Sequence, residues 1–283
     1  RAEYRGENLG AAPALKKAAA TPDKAISSRE RARGRESAWR LSGGGPIAAI
    51  MGKEMHSLVR TLPLLYAVGA PLVGILVISG TFIRGATHAP LIAFPLCVFF
   101  AQMGFIRLFS NSLGTEGPGI QLYFLSPTPI RTVMLAKNLF HSLAFALTLA
   151  MGGILAVLRL GRPDRVVVAA TVAWLLFVLP CNLAVGNIFS LTMPYRVYPG
   201  RVSRQRGSQA SVLLSLVFEF GAMGVGVAVF LLCSSSGMMW LTVPIFLVLA
   251  GAAVLVWLRV LNNSDGIANQ RKDLLIATLV KTE

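Results

Sequence analysis

From about position 62 onward the chain is a succession of long apolar runs separated by short clusters of charge or turn residues. Six runs stand out, at about 62 to 82, 88 to 109, 132 to 158, 166 to 193, 209 to 232 and 238 to 260. Each has about the twenty residues that a helix needs to cross roughly 30 Å of hydrocarbon. Apolar character is continuous within a run and does not alternate, which predicts helices and argues against the strands of a membrane barrel. A bilayer core offers no water to backbone groups, so a helix is the form that satisfies them. Pro63, Pro71, Pro95, Pro180 and Pro244 fall within or near these runs, where a kink is tolerated if neighbours restore the freed hydrogen bonds. The expected fold is an all-α integral membrane protein, a six-span helical bundle over 62–260.

Ahead of the first run, Ile47, Ile50 or Met51, Met55 and Leu58 recur at helical spacing, while Lys53, Glu54, His56 and Arg60 occupy the other side. This pattern predicts an N-terminal amphipathic interfacial helix over 47–61 lying at the membrane surface; the alternative is that these are the wet first turns of the following span. Residues 1–46 are rich in Ala, Arg, Lys, Gly and Ser and show no apolar period, so a polar tail or linker is expected there. Residues 261–283 are expected to be a cytoplasmic C-terminal tail.

Composition narrows the class further. Hydrophobic residues make up 54% of the 283 positions and charged ones 14%, far from the charge-rich, apolar-poor balance of a disordered chain. Three cysteines are too few for a disulfide scaffold, and Cys97, Cys181 and Cys233, set in apolar runs, suit the role of small hydrophobes. The net charge of +15 would suggest nucleic acid if it lay on one soluble face, but the basic residues sit between apolar runs and read as topology signals. No nucleic-acid partner is expected. With both termini cytoplasmic, twelve basic residues lie near inner span ends (Lys53, Arg60, Arg107, Arg131, Lys137, Arg196, Arg201, Arg204, Arg206, Arg259, Arg271, Lys272) and four near outer ones (Arg84, Arg159, Arg162, Arg165). That excess favours this orientation, although the three arginines at 159–165 dissent locally. No secretory signal is read before the first span.

Signs of catalysis are missing. The sequence holds no G-x-S-x-G elbow, no H-E-x-x-H and no G-x-x-x-x-G-K-[ST] phosphate loop, so no catalytic residue and no metal site is expected, and the chain has no visible means of hydrolysing ATP itself. His56, His88 and His141 are too dispersed in the expected topology to bind a metal together. The most informative stretch runs from Ser110 to Lys137, far longer than a turn requires. Glu116, the Gly117-Pro118-Gly119 break, the apolar patch Ile120, Leu122, Tyr123, Phe124 and Leu125, then Ser126-Pro127 and a new helix carrying Arg131 and Lys137 predict a folded cytoplasmic elbow.

This stretch resembles the intracellular loop of type 2 ABC transporter permeases, the membrane subunits of ABC exporters. The family carries an acidic-Gly element, a Leu-Ser-Pro-like turn, a basic residue and a Gly-Lys or Ala-Lys before the third span. Glu116-Gly117, Leu125-Ser126-Pro127, Arg131 and Ala136-Lys137 follow that order. Lys53-Glu54 with Arg60 is similar to the family's interfacial connecting helix, and Gly186-Asn187, Ser190, Pro194, Tyr195 and Arg196 resemble the inner end of its fourth span. The resemblance implies that 110–137 is a coupling loop docking on a separate ATP-binding subunit, which would hold the ATP and Mg while this chain binds no cofactor. It also implies a second six-span permease unit as partner, as a homodimer or as the other half of a tandem permease, and a bacterial cell inner membrane as location. A membrane-embedded enzyme and a passive membrane anchor or assembly subunit are the alternative readings.

Several polar residues lie within or against the spans. Glu219 is the one acidic residue deep in a predicted span; it reads either as a substrate or proton contact or as interhelical glue bridging to Asn182, Asn187 or Ser190. Gln102 is a further candidate for the pathway. Arg131 and Lys137 admit plain anchoring at the inner boundary beside the coupling reading. Trp174, Trp240 and Trp257 are either belt or packed residues, which sequence does not separate.

Overall fold

In a computed structural model the protein is described over residues 45–60, 69, 71–77, 90–196 and 209–280. Among these residues there are helices and turns and no strand. Helix α1 spans Pro46–Arg60 and α2 spans Pro90–Ala101. A 3-10 turn over Gln102–Phe105 then leads into α3, Ile106–Ser110. After a turn at Gly117–Gly119 come α4 (Ile120–Leu125), α5 (Ile130–Leu160) and α6 (Arg165–Thr192). The last described elements are α7 (Gln209–Ser235), α8 (Thr242–Gln270) and α9 (Lys272–Val280).

Local sequence accounts for most of these boundaries. Ser126 precedes Pro127 and is extended, as the proline ring demands of its predecessor. Pro129 then opens α5, where its missing N–H costs nothing. Gly161, at φ +84°, ends that helix. Asp164 caps α6 by accepting from the Val166 backbone N–H at 3.0 Å.

Four helical windows are long and apolar enough to cross a membrane: Ile130–Leu160, Arg165–Thr192, Leu213–Ser235 and Met239–Asn262. They coincide with the third to sixth predicted runs. The second predicted run differs, because its helical path is broken by the 3-10 turn and its apolar α-helix, Ile92–Ala101, is a short one. Most of the first run lies outside the described residues, which show 71–77 as helical. The expected polar segment 1–46 likewise lies almost wholly outside them. Residues 261–270 continue α8 as one helix, and α9 follows directly, with Leu275 and Leu279 buried.

The main core gathers around Trp174 of α6. Its ring stacks on Phe99 at a centroid separation of 4.6 Å, meets Phe230 edge-on at 6.0 Å and lies near Phe246 at 6.3 Å. Its indole N–H donates to the Ala222 carbonyl at 3.3 Å, so Trp174 is a packed residue, whereas Trp240 is exposed. Gly226 is what admits the indole, since a Cβ there would lie 2.1 Å from it. Helices α6 and α8 share the most extensive contact. The opposite faces carry Leu143, Leu147, Ile154 and Leu158 on α5 and Val248, Leu255 and Val256 on α8, all exposed. Continuous apolar faces of this extent are unfavourable in water and suit hydrocarbon.

A second apolar cluster closes one end of the bundle. Leu113, Ile120, Ile130 and Met134 meet Leu191, Leu261, Ala268, Leu275 and Leu279, so the extension of α8 and the whole of α9 form a bed for the elbow. Helix α1 is held against α5 by Ile50, Val133 and Ala136, with Tyr123 at their edge.

Candidate functional site

Four charges from three separate parts of the chain meet where α1, the elbow and α5 converge. Lys137 projects from the first turns of α5 and is fully buried. Its Nζ lies 2.5 Å from Glu54 Oε1 of α1 and 2.6 Å from Glu116 Oε1 of the elbow. The first contact is a hydrogen bond, and the second is an ion pair without hydrogen-bond alignment at that oxygen. Lys53 completes the set: it hydrogen-bonds to Glu116 Oε2 and lies 3.6 Å from Glu54 Oε1. It also donates to the Tyr123 hydroxyl at 3.1 Å, with its ammonium 5.5 Å from the centre of that ring. Two lysines balance two carboxylates, so the junction is neutral as a whole, as a buried cluster must be to persist.

The balance is visible in the acid–base properties of its members. Burial works to raise the Glu116 pKa, but the ammonium groups of Lys137 and Lys53 outweigh it and hold the carboxyl below its ordinary value. The Tyr123 hydroxyl is pushed up by burial and by the Glu116 charge beside it, so the phenol keeps its proton.

The elbow is fastened equally well to the end of α6. Asn111 Nδ2 donates to the Tyr195 carbonyl at 2.8 Å, and the Tyr195 N–H returns a bond to Asn111 Oδ1 at 3.2 Å. The Ser112 N–H donates to Ser190 Oγ at 2.8 Å. Gly186 lets the Phe109 backbone pass, because a Cβ there would sit 2.4 Å from its carbonyl oxygen. Gly117, at φ +50°, turns the chain toward α4. On that helix Ile120 points inward, while Leu122 and Leu125 are 69% and 80% exposed. The Arg131 N–H donates to Asp265 Oδ1 at 2.9 Å, the Arg131 residue itself is exposed, and Arg271 Nη1 reaches the Thr192 carbonyl at 3.2 Å.

The residues singled out by sequence thus divide into groups. Lys53, Glu54, Glu116 and Lys137 come together in one network. Leu125, Ser126, Pro127 and Arg131 do not join it; they form the outward rim of the elbow, where Ser126 Oγ accepts from the Thr128 N–H at 3.0 Å. Arg60 ends α1, and its side chain lies outside the described ones. Deeper in the bundle, Gln102, Asn182 and Glu219 form a separate buried cluster. Gln102 Nε2 hydrogen-bonds to Glu219 Oε1, and Asn182 Nδ2 donates to Gln102 Oε1 at 3.4 Å.

Of the three alternative partners for Glu219, Asn182 joins its cluster through Gln102. Ser190 is used by Ser112, and Asn187 is buried with its Nδ2 unpartnered. The bridge from Gln102 was not foreseen, because two polar residues 117 positions apart carry no local sign of pairing. Tyr123, read as part of an apolar patch, also supplies a hydroxyl to the charge network, and Asp265 was missed. The one available signal for Asp265 was an acid in an otherwise basic segment. Among the described residues no group of three or more His, Cys, Asp or Glu side chains is placed to hold a metal.

The uncovered apolar helices and the all-helical fold define a multi-pass membrane protein of the all-α class. No protein-family model, no curated protein and no solved structure matches the chain.

Proposed function

We propose that this chain is the membrane-spanning permease subunit of an ABC-type exporter, moving its substrate with ATP hydrolysed by a separate ATPase subunit. The observation that carries the reading is the charge network: it ties α1 and the elbow to the foot of α5, so a push on α4 is delivered to a spanning helix without being lost in a loose loop. The rim of α4 supports the same reading. Leu122 and Leu125 stand out from a folded base, and apolar side chains held in this way suit a groove on a partner protein. In this reading the chain crosses the bacterial inner membrane six times with both termini cytoplasmic, α1 lies at the interface and a second six-span unit completes the transporter. Segment 110–137 is then the coupling element, with Glu116 and Lys137 setting its angle and Leu125, Ser126, Pro127 and Arg131 meeting the ATPase.

The test is co-purification. The full chain is expected to bring down an ATP-binding subunit whose hydrolysis responds to the permease, and Leu125→Asp is expected to abolish both while leaving the fold intact. Turnover by the chain alone, or an undiminished complex with Leu125→Asp, would refute the assignment.

A further inference from the structure

The cluster around Glu219 carries a second inference, independent of the permease reading. Glu219 lies in α7 with 1% of its surface exposed, within a window apolar enough to cross a membrane. Gln102 and Asn182 are also buried, and Asn182 joins the cluster by donating to Gln102 Oε1. No described Lys, Arg or His side chain forms an ion pair with it, in contrast to Glu54 and Glu116, which are both neutralised by lysine. An ionised carboxylate so placed and without a counter-charge is strongly unfavourable in a low-dielectric interior.

Two ligands would neutralise it, a metal cation or a proton, and the surrounding groups choose between them. Gln102 meets the carboxyl with its amide N–H while its carbonyl oxygen is taken by Asn182 Nδ2, and among the described residues no group of carboxylate, His or Cys side chains is placed to hold a metal with Glu219. A proton needs no such ligands. It needs a route to water, and Glu219 borders a small cleft that Phe109, Ser110, Asn182, Ser215 and Phe218 also line.

We propose that Glu219 is a proton-binding site inside the bundle, with Gln102 and Asn182 as its cradle and the cleft at Ser110 and Ser215 as its entrance. Loading forms one O–H bond on a carboxyl oxygen as one O–H bond of a hydronium in the cleft breaks; no electrons change hands. The neutral acid lets α7 seat against Gln102 and α6, and release of the proton leaves a charge that only a wetter, more open cleft accommodates. The groups facing the site are few. Cys181 of α6 adjoins Asn182 in sequence, and His141 of α5 packs against the Phe109 ring that lines the cleft. The side chain of Arg107, on the same segment as Gln102, lies outside the described ones.

Infrared spectroscopy of the purified full chain in lipid nanodiscs tests this. At neutral pH the wild type is expected to show the C=O stretch of a protonated carboxylic acid in an apolar setting, shifted by carbon-13 labelling of glutamate and lost as the pH is raised. Glu219→Gln is expected to abolish the band and Glu219→Asp to move it. The isotope shift requires no variant, so it decides the matter even if neither variant folds. Finding carboxylate absorption alone at neutral pH would overturn the proposal, since an ionised Glu219, whether paired with Arg107 or with a bound metal ion, has no C=O band.

Discussion

Lys137 Nζ stands 2.5 Å from Glu54 Oε1 across 83 positions of sequence, with the lysine fully buried and the glutamate nearly so. A contact of this length between a residue at the start of a spanning helix and one on α1 makes a single mechanical piece of two elements. Because Glu116 shares the same ammonium, the elbow belongs to that piece as well.

Removing Lys137 leaves two buried carboxylates to share the half-exposed Lys53. Lys137→Met is expected to lower stability by up to about 3–5 kcal/mol, the range for leaving a buried charge uncompensated, here the one carboxylate in excess of Lys53. Pairing it with Glu54→Gln should recover part of the loss, giving a coupling energy of about 0.5–3 kcal/mol in a double-mutant cycle. Denaturant unfolding in detergent micelles measures both, and strictly additive single effects would deny the coupling.

Acid should loosen the same junction. The Glu116 carboxyl has its pKa lowered in the folded protein, so its contribution to stability is fully present above its unfolded value and is lost as the pH falls through the folded one. The expected profile of melting temperature against pH is flat around neutrality and falls on the acid side. Glu116→Gln should be less stable at neutral pH and show a shallower acid limb.

Packing at Trp174 gives a third expectation. Gly226→Ala drives a methyl group into the indole and should destabilise by about 1–3 kcal/mol, the range for overpacked cores, with a change in tryptophan fluorescence. Gly221, on the same helix, has open space around the corresponding position. Gly221→Ala should be neutral or slightly stabilising, since alanine is the better helix former.

The rim of the elbow should behave as a surface for a partner and not as part of the core. Leu122→Ala and Leu125→Ala are expected to change stability by no more than about 0.5 kcal/mol, as exposed positions do. In a reconstituted complex the same changes should weaken ATPase binding. A large loss of stability in the isolated chain would show that these side chains pack against this chain itself.

Much of the fold was legible in the runs of apolar residues, because a spanning helix is specified by its own length and hydropathy. Helices α5, α6 and α7 begin and end within a few residues of the predicted runs. In the second run hydropathy does not register the 3-10 turn at Gln102–Phe105. The site was legible as separate pieces. Lys53-Glu54 is legible on the polar side of α1 and Glu116 with Lys137 in the elbow, but no local pattern says that a lysine on α5 will neutralise carboxylates from two other segments.

The chain by itself determined that helices form, where they are interrupted by Pro and Gly, and that their outer faces seek hydrocarbon, because these properties belong to each segment alone. Only the tertiary structure decided that Glu54 and Glu116 share Lys137, that Glu219 is met by Gln102, and that Trp174 faces inward. Those outcomes depend on the depth and rotation at which one helix lies against another, and the packing of the assembled bundle sets both.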